Sequence, residues 1–118
     1  MNKIELMSRR REAWRTLDLM KSPKKNCIKI NSHSSKSHEF MKFSICWELA
    51  KQKKEYITEA VFCNNRRADI VILDDHKIVE IICSETEQEC KEKVKDYPKL
   101  FEIIMVDSNK DFNEKMLQ

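Results

Sequence analysis

Glycine is absent from all 118 residues, and proline occurs only twice. Turns therefore cannot rest on a residue without a Cβ, and Asn, Asp, Ser and the two prolines must shape them. Asn64-Asn65, Asp74-Asp75 and Ser108-Asn109 are the clearest turn signals. No apolar run approaches the ~20 residues that span a bilayer, which excludes a helical membrane protein. Met1 to Arg11 is charged and lacks the apolar stretch of a signal peptide. The five cysteines, Cys27, Cys46, Cys63, Cys83 and Cys90, are odd in number and show no CxxC spacing. This argues against a zinc knuckle or a disulfide framework and for a reduced, cytoplasmic setting. No internal repeat is present.

Charge is plentiful but uneven. Residues 1–54 carry 14 Lys/Arg against 5 Asp/Glu, a balance of +9, and residues 55–118 carry the remaining 9 against 15, a balance of −6. A basic front and an acidic rear suit a polyanionic partner and a cation site, although solvated helix faces give the same count. The length suits one domain, divided into a basic helix and loop over 1–35 and an α/β core over 36–118.

Apolar spacing predicts a helix over 3–20, with Ile4, Met7, Ala13, Trp14, Leu17 and Met20 along one side. A short strand fits Cys27–Ile30. A second helix fits 38–54, with Ser34, Ser35 and Ser37 offering cap oxygens and Met41, Ile45, Leu49 and Trp47 facing inward. Strands follow at Tyr56–Phe62, Arg67–Leu73 and Lys77–Cys83, the last two forming a hairpin. A helix over Glu85–Asp96 with Ser84 as its cap precedes a fourth strand at Leu100–Val106. The tail from Asp107 reads as helical or loose. The expected fold is α/β: a mixed sheet of about four strands flanked by helices, in the order α-α-β-β-β-α-β. The first three strands should be antiparallel, and the last should return parallel through a right-handed crossover.

Strand alternation puts Asp69 on the face of Val71 and Leu73, and Glu80 on the face of Ile78 and Ile82. An acid in an otherwise apolar strand is costly to bury, and two neighbouring acids repel. A divalent cation between them removes both costs, because hard cations take oxygen ligands. Glu59, mid-strand, is a third acid for the site or the partner of Arg66 or Arg67. Glu48 reads as a solvated helix residue. Trp14 and Trp47 suit either the core or base stacking. Arg9, Arg10, Arg11, Arg15, Lys24 and Lys25 are the candidates for phosphate contact.

Arg67-Ala68-Asp69-Ile70-Val71-Ile72-Leu73, a short turn, and Ile78-Val79-Glu80-Ile81-Ile82 resemble the central hairpin of the PD-(D/E)XK nuclease superfamily. His38-Glu39-Phe40-Met41-Lys42 and Tyr56–Phe62 are similar to that fold's first helix and first strand, and Glu85, Lys93 and Tyr97-Pro98 to its second helix. The likeness covers about residues 36–107 and points to small Holliday-junction-resolvase-like members. It implies a restriction-endonuclease-like fold and Mg²⁺- or Mn²⁺-dependent endonuclease hydrolysis of phosphodiester bonds in DNA. Asp69, Glu80 and the Ile81 carbonyl would hold the metal, with Glu39 or Glu59 completing the shell. Arg67 and His38 would meet phosphate. It also leaves room for a homodimer. One position departs: Ile82 stands where the superfamily has its strand lysine. Lys77 is nearest in sequence but alternation turns it away. Lys42, Lys91 or Lys93 could deliver an ammonium instead, and Lys42, which shares a helix face with Glu39, is the expected substitute. Loss of the lysine also fits a catalytically inactive nucleic-acid-binding module. A protein-interaction subunit, its acids in ion pairs, is a third reading.

Overall fold

A computed structural model of the chain describes residues 1–83 and 87–118. Its elements run α1 (Lys3–Trp14), α2 (Lys36–Lys51), β1 (Tyr56–Val61), β2 (Arg67–Ile72), β3 (Lys77–Ile82), α3 (Glu87–Val94) and β4 (Glu102–Asp107), closed by a 3₁₀ turn at Glu114–Leu117. The sheet order is β1-β2-β3-β4, antiparallel through β3 and parallel between β3 and β4. The expected α/β layout is therefore the observed one. Ser84 and Glu85, expected at the start of α3, lie outside the described residues. Among the described residues, no helix is long and apolar enough to cross a membrane.

The sheet divides the core into two layers. On one side α2 packs Met41, Ile45, Cys46 and Leu49 against Ile70, Ile72, Val79 and Ile81. On the other, Ala13 and Leu17 meet Phe62, Val71, Leu73, Ile78, Tyr97 and Phe101. The period-two alternation of β2 and β3 sorts their residues between these layers. Missing glycine is replaced at the turns by Asn26, Lys53, Asn65 and His76, all with positive φ.

Three local expectations are corrected. The first helix stops at Trp14 rather than 20. Leu17 bridges to Phe62, and Asp18 N–H donates to Val61 O, so pairing with β1 pulls the chain out of the helix. Ile4 and Met7 within the helix, and Met20 beyond it, are exposed rather than inward-facing. Residues 27–30 form no strand; Lys29 N–H donates to the Thr58 hydroxyl, which donates to Cys27 O, so a side chain takes the place of a ladder. Trp47 faces out at 60% exposure, whereas Glu48 is buried beside Lys51.

Candidate functional site

The ladder between β2 and β3 is regular from Ile72↔Lys77 to Ile70↔Val79 and ends there. The next rung would pair Asp69 with Glu80. Their side chains intrude instead. Ile81 N–H donates to Asp69 Oδ2 at 2.8 Å, and Asp69 N–H points to Glu80 Oε1 at 3.4 Å. The two acids are thus rung neighbours in a split of the sheet. In a strand, N–H and C=O of one residue leave by the same edge, so the Ile81 carbonyl faces the same split.

Each acid is compensated from a different layer. His38, at the start of α2, brings Nε2 to 3.4 Å from Asp69 Oδ2 and Nδ1 to 2.6 Å from Glu39 Oε2. Lys93 on α3 brings its ammonium to 3.0 Å from Glu80 Oε2. Tyr97 Oη lies 2.6 Å from both Glu80 Oε1 and Arg67 O. A hydroxyl has one proton, so it donates to one of these oxygens, and a protonated Glu80 would donate to the hydroxyl in turn. That fits the electrostatics: burial, and then the charge of Asp69, push the Glu80 carboxyl up to about 7. Burial also works against ionised Asp69, but the His38 hydrogen bond and the Ile81 N–H outweigh it and lower its pKa. The Asp69 hydrogen bond raises His38 to about 9, so the imidazole is cationic at neutral pH.

Glu59 lies across from Asp69 on β1, in the gap between the rungs Thr58↔Ile70 and Ala60↔Ala68. Its φ is 47°, a left-handed conformation that a Cβ-bearing residue inside a strand adopts at a cost. The twist turns its carboxylate inward at 6% exposure. Oε1 accepts from Asn31 Nδ2, while Oε2, 3.3 Å from Lys42 Nζ, has no aligned hydrogen bond.

A polar cavity of about 480 Å³ opens over the split, with Glu59, Asp69, Ile81, His38, Arg66, Arg67 and Lys93 in its walls. Glu80 does not line the cavity; it is fully buried, held by Lys93, which does line it, and by Tyr97. Lys42 is also fully buried, holding Glu39 Oε1 at 2.8 Å and Lys29 O at 3.0 Å, and does not line the cavity. Lys77 donates to Leu117 O at the opposite end of β3. Lys93 lines the cavity and meets Glu80, whereas Lys42 meets Glu39 and Glu59 from the buried side. Tyr97, part of the resemblance but not assigned to the site, and Asn31 join it, although neither lies near Glu80 or Glu59 in the chain.

The basic front end divides. Arg10 is committed to Asp74, whose two carboxylate oxygens lie at 2.9 and 3.0 Å, and Arg9 Nε donates to Asp74 O. Arg11, Lys24 and Lys25 are exposed along a second groove of about 610 Å³ that includes Trp14. Arg15 is exposed outside it.

Among the described residues, no three His, Cys, Asp or Glu side chains stand together as a metal-holding group. The donor chemistry nevertheless suits a hard divalent ion. Asp69 and Glu80 both reach into the split, the Ile81 carbonyl faces it, and Glu59 Oε2, although 3.3 Å from Lys42 Nζ, has no aligned hydrogen bond. Magnesium sites commonly use one or two carboxylates, with water and substrate phosphate supplying the rest. No family model matches the chain, and neither does any curated protein or solved structure.

Proposed function

We propose that the protein is a metal-dependent endonuclease of PD-(D/E)XK type that hydrolyses phosphodiester bonds in DNA. The observation that carries this reading is the split rung: Asp69 and Glu80 oppose each other under a cavity walled by Arg66, Arg67 and Lys93. Asp69, Glu80 and the Ile81 carbonyl would hold Mg²⁺ or Mn²⁺. Such an ion lowers the pKa of its water and neutralises phosphate charge. The chain's own cations do the rest. Arg67 suits planar recognition of phosphate oxygens, while Arg66, also at the cavity wall, is paired with the exposed Asp96. Lys93 supplies the ammonium absent at Ile82, from α3 rather than from the strand. Protonated His38, with one N–H toward Glu39 and the other toward Asp69, keeps Asp69 ionised and adds positive charge near the phosphate.

The same geometry favours a second reading, a nucleic-acid-binding module without catalysis, because His38 and Lys93 already compensate both acids internally. A cleavage assay on branched, duplex and single-stranded DNA with Mg²⁺ or Mn²⁺ separates the two. The first reading expects cleavage that Asp69→Ala abolishes. Lys93→Ala should lower it by about 10²-fold, the usual cost of one charge-stabilising group, and Lys77→Ala should leave it unchanged. DNA binding without cleavage in either metal would establish the second reading. Neither binding nor cleavage would overturn both.

A further inference from the structure

The outer face of α2 is unusual for a helix at the surface of a small domain. Lys36, Phe40, Phe43, Trp47 and Ala50 are exposed in a row, at intervals of four, three, four and three residues. That is the 3.5-residue spacing of a helix–helix seam. Phe40 is 60% exposed, Phe43 50% and Trp47 60%, while Met41, Ile45, Cys46 and Leu49 fill the inner face. The helix is therefore apolar on both sides, which normally marks one enclosed on both sides. Phe43 and Trp47 already lean together, with centroids 6.1 Å apart, and Lys36 sits over the Phe40 ring. Ile28 and Ile30 extend the patch along one flank, and Phe112 along the other.

We infer that this face is the interface between two copies of the chain, with their α2 helices antiparallel across a two-fold axis. Charge decides against a polyanion. Lys51 is bound to Glu48, and Glu48 stands beside Glu114, so no continuous basic track runs along the aromatic row. A near-neutral apolar face meets its own copy without like-charge repulsion, and a two-fold pair is the commonest closed assembly. Shape agrees. With the axis near Ile45, Phe43 lies against Trp47 of the partner subunit, and Phe40 against Ala50 of the partner subunit, a large side chain over a small one. Area agrees as well. The three aromatics together present roughly 350 Å² if a whole aromatic side chain has ~200–250 Å². With Ile28 and Ile30, two copies would remove on the order of 1,000 Å² from water, the threshold for a specific interface. This inference is independent of the nuclease reading.

Sedimentation equilibrium of the full chain tests it. The expected result is a species of twice 14.2 kDa. Phe43→Glu and Trp47→Glu should each weaken association by about 30-fold or more, as for a central aromatic anchor. Far-ultraviolet circular dichroism should stay unchanged, because both side chains are exposed in the single copy, while the melting temperature should lose the concentration dependence that association gives the parent. In a Trp14→Phe background, Trp47 fluorescence should shift to the blue with rising concentration. A single 14.2 kDa species up to ~100 µM, well above micromolar affinity, would overturn the proposal. So would a dimer indifferent to both substitutions. Quenching of Trp47 in a monomer by a single-stranded oligonucleotide would also overturn it, and would assign the face to base stacking.

Discussion

Lys42→Met probes the interior of the site most directly. Lys42 is fully buried, and its ammonium is shared among Lys29 O at 3.0 Å, Glu39 Oε1 at 2.8 Å and Glu59 Oε2 at 3.3 Å. Methionine keeps most of the volume and removes the charge. Glu39, its side chain 14% exposed, and Glu59, at 6%, are then left without their shared cation. Breaking a buried ion pair by removing one partner costs about 3–5 kcal/mol. A domain of this size holds on the order of 5–15 kcal/mol in total, so the loss is a large share of its stability. It corresponds to a fall in Tm of ~10–20 °C. The pH dependence has a definite sign. Burial alone would raise the Glu39 carboxyl, but Lys42, the Asn31 N–H and His38 together hold it below its ordinary value. A depressed carboxyl contributes stability above its unfolded pKa and loses it as pH falls. Lys42→Met removes part of that depression, so the gap between variant and parent should narrow as pH drops through the carboxylate range near ~4. Denaturant unfolding followed by circular dichroism, at neutral pH and at pH near 4, measures both effects. Adding Glu59→Gln should recover part of the loss, since it removes one stranded charge. A cost below about 1 kcal/mol at neutral pH would refute the assignment of Lys42 as a structural counter-ion.

Three further outcomes are expected. Arg11→Ala should lower the salt slope of DNA binding by ~0.9 for each phosphate that the side chain neutralises, whereas Arg10→Ala should cost about 1 kcal/mol of stability through the Asp74 pair and leave the slope alone; identical slopes for parent and Arg11→Ala would move the phosphate surface elsewhere. In metal-free protein the His38 imidazole should titrate near 9 by NMR. The stability it contributes is then full below its ordinary value of 6.5 and lost as pH rises through about 9; a midpoint at the ordinary value would rule out the pairing with Asp69. Tyr97→Phe should destabilise by about 1–3 kcal/mol, because its buried hydroxyl serves both Glu80 and Arg67 O; chemical denaturation checks this, and an unchanged midpoint would mean that the hydroxyl is not holding the rung.

The sequence by itself determined the sheet. The alternation in Arg67–Ile72 and Lys77–Ile82, the turn at Asp74-Asp75 and the apolar run before Asp107 require a hairpin and a parallel return, and the layer each residue joins follows from parity. It also placed Asp69 and Glu80 within the hairpin, because an acid inside an apolar strand stands out from its neighbours. Tertiary structure decided what surrounds them. That Lys93 rather than Lys42 or Lys77 meets Glu80 depends on how α3 lies across β3, and charged side chains on a short helix carry no signal of which one turns inward. Tyr97 reaches the rung from 17 residues away, and no spacing rule links it to Glu80. The left-handed backbone at Glu59 was equally invisible, since glutamate has no preference for that conformation and the surrounding strand imposes it. The early end of α1 has the same kind of cause: its apolar spacing continues past Trp14, but hydrogen bonds from residues 16–18 to β1 and its flank outweigh another helical turn. On α2 the apolar residues on both faces could be read in sequence, whereas only packing against the sheet decided that Phe40, Phe43 and Trp47 are the ones left outside.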